Sequence, residues 1–268
     1  MLPLVTRVIK DNRTFFIGNA FIWVLFIWMY VAFFPSVSEN ALQLQEAFKS
    51  YPESFFKAFS INMDVMFTNL EGFLSIEYYS IVWPILMVIF VLTYGSFTIA
   101  GEIDRGTIEV LLAQPISRTK IYWAKYLAGV ILILAFVFLS NFSVVPFAML
   151  YHVKFQWQAL LTISVLGFLF SLSVFSVTTM LSSLFSSRAK AASLAGGVLI
   201  VMYVLNIISK FKVSVDNLKY FSFFHYFDHS AALIDNHISA LAVAVFLGVS
   251  LICTLAGLIA FIKRDIAT

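Results

Sequence analysis

Long apolar runs separated by short polar segments dominate the chain. A helix needs about 20 apolar residues to cross the hydrocarbon core of a bilayer. The pattern predicts six such helices, at roughly residues 15–34, 79–101, 126–151, 159–185, 191–209 and 239–262. Lipid offers no water to backbone N–H and C=O groups, and the alternation typical of barrel strands is missing from these runs. The predicted fold class is therefore an all-α polytopic membrane protein forming a single domain over residues 1–268.

Composition agrees with that pattern. The chain is 61% hydrophobic and 12% charged, with a mean hydropathy of +0.95, whereas soluble domains carry roughly 25% charged residues. This excludes a soluble globular protein, and the net charge of +3 makes nucleic acid an improbable partner. The one cysteine, Cys253, lies in an apolar run, so we expect it to serve as a small packing residue.

Lysine and arginine set the predicted orientation, because they concentrate on the cytoplasmic side of membrane proteins. With the N-terminus inside, eleven lie in inner segments: Arg7, Lys10, Arg13, Arg105, Arg118, Lys120, Lys125, Arg188, Lys190, Lys263 and Arg264. Six lie in the longer outer segments: Lys49, Lys57, Lys154, Lys210, Lys212 and Lys219. We therefore expect both termini in the cytoplasm.

The chain begins with a basic segment ahead of the first apolar run. That run is longer than a signal-peptide core and lacks a small-residue cleavage site, so we interpret it as a retained span. At helical spacing, apolar Leu4, Val5, Val8 and Ile9 alternate with the basic side chains. This predicts an amphipathic helix at the inner membrane surface, with three candidate interfacial residues: Arg7, Lys10 and Arg13. The alternative is a simple positive flank of the first span.

Two outer segments are long enough to carry structure of their own. Residues 35–78 mix charges with apolar clusters, and we expect short amphipathic helices there, at the outer surface. Residues 210–238 are rich in aromatic residues, which favours an interfacial or partly re-entrant position.

The inner loop at residues 102–120 has readable local signals. Gly106 should end the helix leaving the second span, Thr107 is a plausible N-cap, and Glu109 falls in the first turn of a new helix. Pro115 biases the residue before it out of helix geometry, which leaves a helix of about seven residues, roughly 10 Å long.

The apolar residues of this short helix, Ile108, Val110, Leu111 and Leu112, are expected to press on the membrane domain. Ser117 can cap the third span, with Arg118 just inside it. The segment would form a stiff charged knob that could dock on a partner. The alternative is an ordinary solvated turn with basic residues.

The run Glu102-x-x-x-Gly106-Thr107-x-Glu109-x-Leu111-Leu112-x-x-Pro115-x-Ser117-Arg118, followed by Ile121 and Lys125, resembles the signature of the type-2 ATP-binding-cassette (ABC) permease family. The resemblance implies a six-span exporter subunit in the plasma (inner) membrane, bacterial by expectation. It implies a coupling helix that contacts an ATPase through Glu102, Arg105, Gly106, Thr107, Glu109, Leu112, Pro115 and Arg118.

The chain has no Gly-x-x-x-x-Gly-Lys-Ser/Thr phosphate-binding loop, so ATP and Mg²⁺ would be used by a separate subunit. We expect two ATPase copies and a second permease subunit, identical or related, in contact with membrane lipid. The small residues Ala192, Gly196 and Gly197 could form the seam between permeases or an intrachain contact.

Hydroxyl residues line one face of the fourth span. At 100° per residue Ser164, Ser171, Thr178 and Ser182 lie within about 40° of one another. They are the candidate substrate path, and the alternative is helix packing with the hydroxyls bonded to backbone carbonyls. Asn141 is expected to bond to a neighbouring helix and Pro146 to kink the third span.

The leading functional hypothesis is an ATP-driven exporter of an amphiphilic or lipophilic cargo such as a peptide, a drug or a lipid. No charged residue lies near the middle of a span, which argues against an ion carrier. A motor-independent facilitator or a subunit of a sensor complex is the runner-up. A lipid-acting enzyme is weaker, since only His225, Asp228 and His229 suggest a polar cluster. We expect no catalytic residue and no metal site, because the histidines lack ligand spacing.

Overall fold

A computed structural model describes residues 2–48, 63–211 and 213–265. These residues form helices and no strands. The α-helices are Leu2–Asp11, Arg13–Glu39, Ala41–Phe48, Met63–Met66, Leu70–Leu74, Val82–Phe97, Ala100–Asp104, Thr107–Leu112, Arg118–Phe142, Val144–Leu150, Trp157–Leu184, Arg188–Phe211, Phe223–Tyr226, His229–Leu233 and Ala240–Lys263. A π-helix covers Ser75–Tyr79 and a 3₁₀-helix covers Val213–Phe221.

The all-α fold class is confirmed, and the described residues hold five candidate spans, or six, the predicted number, if a bent pair of helices counts as one span. Five are long apolar helical segments, and one is a pair of helices, Leu70–Tyr79 and Val82–Phe97, bent by 48°. We number the spans in chain order, so this bent pair is the second span. The fourth, fifth and sixth spans begin and end within a few residues of their predicted limits.

The second span begins earlier than the expected residue 79. Asn69 caps its first helix, its side chain accepting from the Gly72 N–H at 2.7 Å. Glu71, which looks like a loop residue, is buried and accepts from the backbone N–H of Gln156 at 2.5 Å. The expected outer loop at 35–78 is therefore shorter, because its last residues belong to a span. The part of that loop at 49–62 lies outside the described residues.

The first and third spans also differ from their expected limits. The first span continues through Pro35 to Glu39, since the missing N–H of one proline does not outweigh the burial of Phe34 and Val37. The helix of the third span begins at Arg118 with Ser117 as its cap, as expected, and so extends eight residues before the predicted apolar run. Its helix is interrupted at Ser143, just before Pro146, as a proline-induced break predicts.

The fourth span is the centre of the bundle. It is the most buried of the continuous spans, since 67% of the residues in its apolar stretch are buried. An aromatic cluster beside it surrounds Trp83 of the second span, which is fully buried. Trp83 stacks on Phe227 with ring centres 5.3 Å apart, and the Phe170 ring of the fourth span lies 5.0 Å from the Phe227 ring. The aromatic segment predicted at residues 210–238 is therefore packed between spans at Phe227.

The N-terminal helix, Leu2–Asp11, is amphipathic as expected. Its apolar side, however, faces protein. Val5 is buried against Ala124 and Ala128 of the third span. Arg7, Lys10 and Arg13 are exposed. The helix is thus attached to the third span at the end of the bundle that holds both ends of the chain.

Candidate functional site

A glycine directly precedes the short helix Thr107–Leu112, which is called the loop helix below. Gly106 has φ of +71°, in the left-handed region that glycine adopts without strain. The chain thereby turns from the helix Ala100–Asp104 into the loop helix, and Glu109 lies in its first turn as expected. Gly106, rather than Thr107, occupies the N-cap position, because the Thr107 side chain bonds elsewhere.

The loop helix buries only part of its apolar surface. Ile108 is 2% exposed and packs on the core, and Leu111 and Leu112 are half-buried. Val110, which was expected to press on the membrane domain, is 67% exposed instead. Glu109 and Pro115 are also exposed. The helix is held by one face and presents Glu109 and Val110 outward.

A buried ion pair fixes the approach to the loop helix. Lys125 of the third span is 4% exposed, and its Nζ donates to Glu102 Oε1 at 2.5 Å. The Thr107 hydroxyl donates to the other carboxylate oxygen. Burial favours a raised pKa for Glu102, but the charge and hydrogen bond of Lys125, the Thr107 bond and the Arg105 charge together lower it. Lys125 belonged to the motif, yet the sequence did not reveal its partner.

Two arginines from different segments meet at one aromatic ring. The guanidinium carbon of Arg105 lies 4.5 Å from the centre of the Phe97 ring, and that of Arg188 lies 5.8 Å from the same centre. Such cation–π contacts orient a guanidinium while leaving its N–H donors available. Arg188, at the start of the fifth span, was not among the expected site residues.

Arg118 is oriented differently from the exposed residues of the loop. Its Nη1 donates to the carbonyl oxygens of Ile262 at 3.3 Å and Arg264 at 2.5 Å, at the end of the sixth span. Helix ends leave such carbonyls without partners, and a basic side chain satisfies them. Arg264 in turn donates to the carbonyls of Ser183 and Phe185, both at 3.0 Å. Arg118 therefore joins two spans.

A cavity of about 600 Å³ separates the N-terminal helix from the loop helix. Its walls include Arg7 of the N-terminal helix, Val110 of the loop helix, and the ion pair of Glu102 and Lys125. This places the expected interfacial helix and the expected coupling loop side by side. Together with the exposed side of the loop helix they form one surface at the end of the bundle.

The hydroxyl face of the fourth span is buried. Ser164, Ser171 and Thr178 each donate to the carbonyl four residues earlier, at 2.6, 2.6 and 2.7 Å. Ser182 donates to the Ser96 carbonyl at 2.9 Å and accepts from the Ala100 N–H at 2.8 Å. None of these four side chains lines any of the five principal cavities among the described residues. Their contacts are those of the packing alternative.

Asn141 bonds to neighbouring helices, as expected. Its Oδ1 accepts from the Tyr79 hydroxyl at 2.9 Å, and its Nδ2 donates to Ser164 Oγ at 2.9 Å. The three side chains join the second, third and fourth spans. The network lies in the half of the bundle opposite the loop helix.

The polar residues of the aromatic segment, His225, Asp228 and His229, line one cavity of about 160 Å³. The Nδ1 of His229 is 2.8 Å from Ser75 Oγ, and burial lowers the pKa of His229 to about 4. The Asp228 side chain accepts from the Ala231 N–H at 3.0 Å and caps a helix. Within the described ranges, no group of three His, Cys, Asp or Glu residues could hold a metal ion.

Comparison with known proteins adds a family to this geometry. A family model described as ABC-2 family transporter protein matches residues 7–266. No curated protein matches the chain.

Proposed function

Because the chain belongs to the ABC-2 family of transporter proteins and is a multi-pass membrane component of that kind, we propose that it is the permease subunit of an ATP-driven exporter. ATP and Mg²⁺ are used by separate ATPase subunits, two per complex. The surface that receives them is the exposed side of the loop helix with the adjoining N-terminal helix.

The proposal rests mainly on how the loop helix is attached to the bundle. Its outer side is exposed at Glu109 and Val110, while its base is fixed to the third span by the Glu102–Lys125 ion pair. Without this ion pair, the exposed helix would move independently of the spans. A helix tied to a span can pass a rigid displacement from a docked motor to the bundle.

A second permease subunit completes the pathway in this proposal. The fourth span is the central helix of this chain, and its hydroxyls are used in packing. The fifth span is only 22% buried, and a Cβ added at Gly197 would meet open space. Such small exposed positions let helices approach closely. The cargo path would then run between two chains, with an amphiphilic or lipophilic cargo such as a peptide, a drug or a lipid.

The experiment is a mild-detergent pull-down of the tagged chain from its native membrane. The test variant is Glu109→Lys with Val110→Asp. The control is Glu39→Lys with Leu42→Asp, which makes the same replacements of charge at exposed positions near the far end of the first span. We expect a P-loop ATPase to co-purify with wild type and control and to be lost from the test variant.

Two results would contradict the proposal. If no ATPase accompanies any form, the runner-up, a motor-independent facilitator or sensor subunit, becomes the better account. If the test variant keeps the ATPase, the docking surface is elsewhere. Equal melting temperatures of the two variants in detergent exclude misfolding as the cause of a loss.

A further inference from the structure

The cavity between the N-terminal helix and the loop helix carries more positive than negative charge. Its lining holds four cations, Arg7, Arg105, Lys125 and Arg188, and two carboxylates, Asp11 and Glu102. Each carboxylate already has a cation of its own. Arg7 lies 3.9 Å from Asp11, and Lys125 lies 2.5 Å from Glu102. Two guanidinium charges remain in excess.

Those two charges belong to Arg105 and Arg188, the pair that shares the Phe97 ring. In the part of the chain that the structure describes, neither guanidinium has a hydrogen bond or a salt bridge within 4.0 Å. A guanidinium offers five N–H donors in a planar fork that matches phosphate and carboxylate oxygens. Both guanidinium carbons lie within 6 Å of the Phe97 ring centre, and both arginines line the same cavity.

Much of the remaining wall of the cavity is apolar. Its apolar part includes Leu4 and Val8 of the N-terminal helix, Phe15 of the first span, Tyr94 of the second span and Leu111 of the loop helix. The uncharged polar residues of the lining are Asn12, Thr93, Thr107 and Gln114. Leu4, Val8 and Phe15 are only partly buried by the protein itself. A ligand that fills this space therefore presents an anionic group to the arginines and hydrocarbon to the opposite wall.

We propose that this cavity binds the phosphate group of an anionic phospholipid from the adjacent leaflet, held between Arg105 and Arg188. The acyl chains lie along the N-terminal helix and the first span. The lipid would join three segments that are distant in sequence: the N-terminal helix, the loop before the loop helix and the start of the fifth span. A free phosphate would satisfy the arginines but would leave the apolar wall uncovered. An acidic loop of a partner protein is the competing occupant.

The experiment uses the full-length chain, purified in detergent without any ATPase, so its outcome is independent of motor docking. Native mass spectrometry measures retention of added phosphatidylglycerol, with inorganic phosphate as the competitor. The test variant is Arg105→Gln with Arg188→Gln. The control, Lys190→Gln with Lys263→Gln, removes the same charge from exposed residues at the same end that do not line the cavity.

We expect wild type and control to retain the lipid and the test variant to bind it at least tenfold more weakly. Inorganic phosphate at millimolar concentration should not displace it. Substitution of both arginines by lysine keeps the charge but removes the planar set of guanidinium donors. The lipid affinity of this variant should therefore lie between those of wild type and the glutamine variant. The lysine form also replaces the glutamine form if the latter does not fold.

Three results would overturn the proposal. Equal losses in test and control variants would show general attraction of a basic surface. Displacement by inorganic phosphate would assign the site to a soluble anion. Absence of added phosphatidylglycerol from wild type would show that the cavity does not bind an anionic phospholipid.

Discussion

The Nζ of Lys125 lies 2.5 Å from the Oε1 of Glu102, and this contact fastens the approach to the loop helix to the third span. The two ends of the pair differ in their surroundings. The Lys125 side chain is 5% exposed, whereas that of Glu102 is 17% exposed and also receives the Thr107 hydroxyl. The lysine therefore depends on its partner more than the carboxylate does.

Loss of the carboxylate should cost more stability than loss of the lysine. Glu102→Ala leaves a buried ammonium without a partner, which costs about 3 kcal/mol in comparable pairs. Lys125→Met replaces the ammonium by an apolar side chain of similar length and leaves Glu102 with Thr107, so we expect a loss of about 1 kcal/mol. Thermal denaturation in detergent measures both. Equal losses would contradict the asymmetry of the pair.

The same ion pair should make the stability of the folded protein depend on pH. The pKa of Glu102 is lowered in the folded protein, so its contribution is fully present above the value of an unfolded glutamate, about 4.3. That contribution is lost as the pH falls through the lowered pKa. We expect the melting temperature of wild type, relative to Glu102→Gln, to be constant between about pH 5 and pH 8 and to converge below about pH 4. A difference that changes between pH 5 and pH 8 would point to another group.

The loop helix shows what local sequence signals can predict. Gly106 was expected to break the helix and Ser117 to cap the next one, and both do so, because a left-handed φ and a side-chain cap are decided within a few residues. The length of the apolar runs likewise predicted the five long apolar helices. These features depend on neighbours in the sequence.

Features that depend on distant partners were missed. Glu71 indicated an outer loop, but its carboxylate is buried by a bond to the backbone of Gln156, 85 residues away. Arg118 belongs to the family motif, but no local signal indicated that its donors reach carbonyls of the sixth span, more than 140 residues away. The contact between Arg188 and the Phe97 ring depends on the fold and could not be predicted from the sequence. Charge is visible in a sequence, whereas the direction of a charged side chain is not.

Gly106→Ala should strain the loop without a steric clash. A Cβ at this position would meet no atom within 4 Å, so the cost is that of a left-handed φ in alanine, about 1 kcal/mol. We expect faster proteolysis between Asp104 and Thr107 and weaker retention of the ATPase. Gly18→Ala is the matched control. Its Cβ also meets open space, and its position inside a helix means that alanine should be neutral or slightly stabilising.

Asn141→Leu should weaken the contact among the second, third and fourth spans. The change removes an acceptor for Tyr79 and a donor to Ser164, and hydrogen bonds between membrane helices average about 0.6 kcal/mol each. We therefore expect a loss of about 1 kcal/mol in a denaturation assay, with ATPase retention unchanged. Asn19→Leu is the control, because Asn19 bonds only within its own helix, to the Phe15 carbonyl. A loss of ATPase from Asn141→Leu would show that this network also shapes the docking surface.

Arg118 and Glu109 should separate two roles within one loop. Arg118→Gln removes the guanidinium that caps the sixth span, so amide hydrogen exchange should increase at residues 261–265. The exposed docking surface is untouched, and ATPase retention should stay within about twofold of wild type. Glu109→Lys should do the reverse, because Glu109 is exposed on the loop helix. If Arg118→Gln releases the ATPase while exchange at 261–265 is unchanged, its guanidinium turns outward in the complex. The bond to the sixth span would then be one of two states, and docking would be coupled to release of that span.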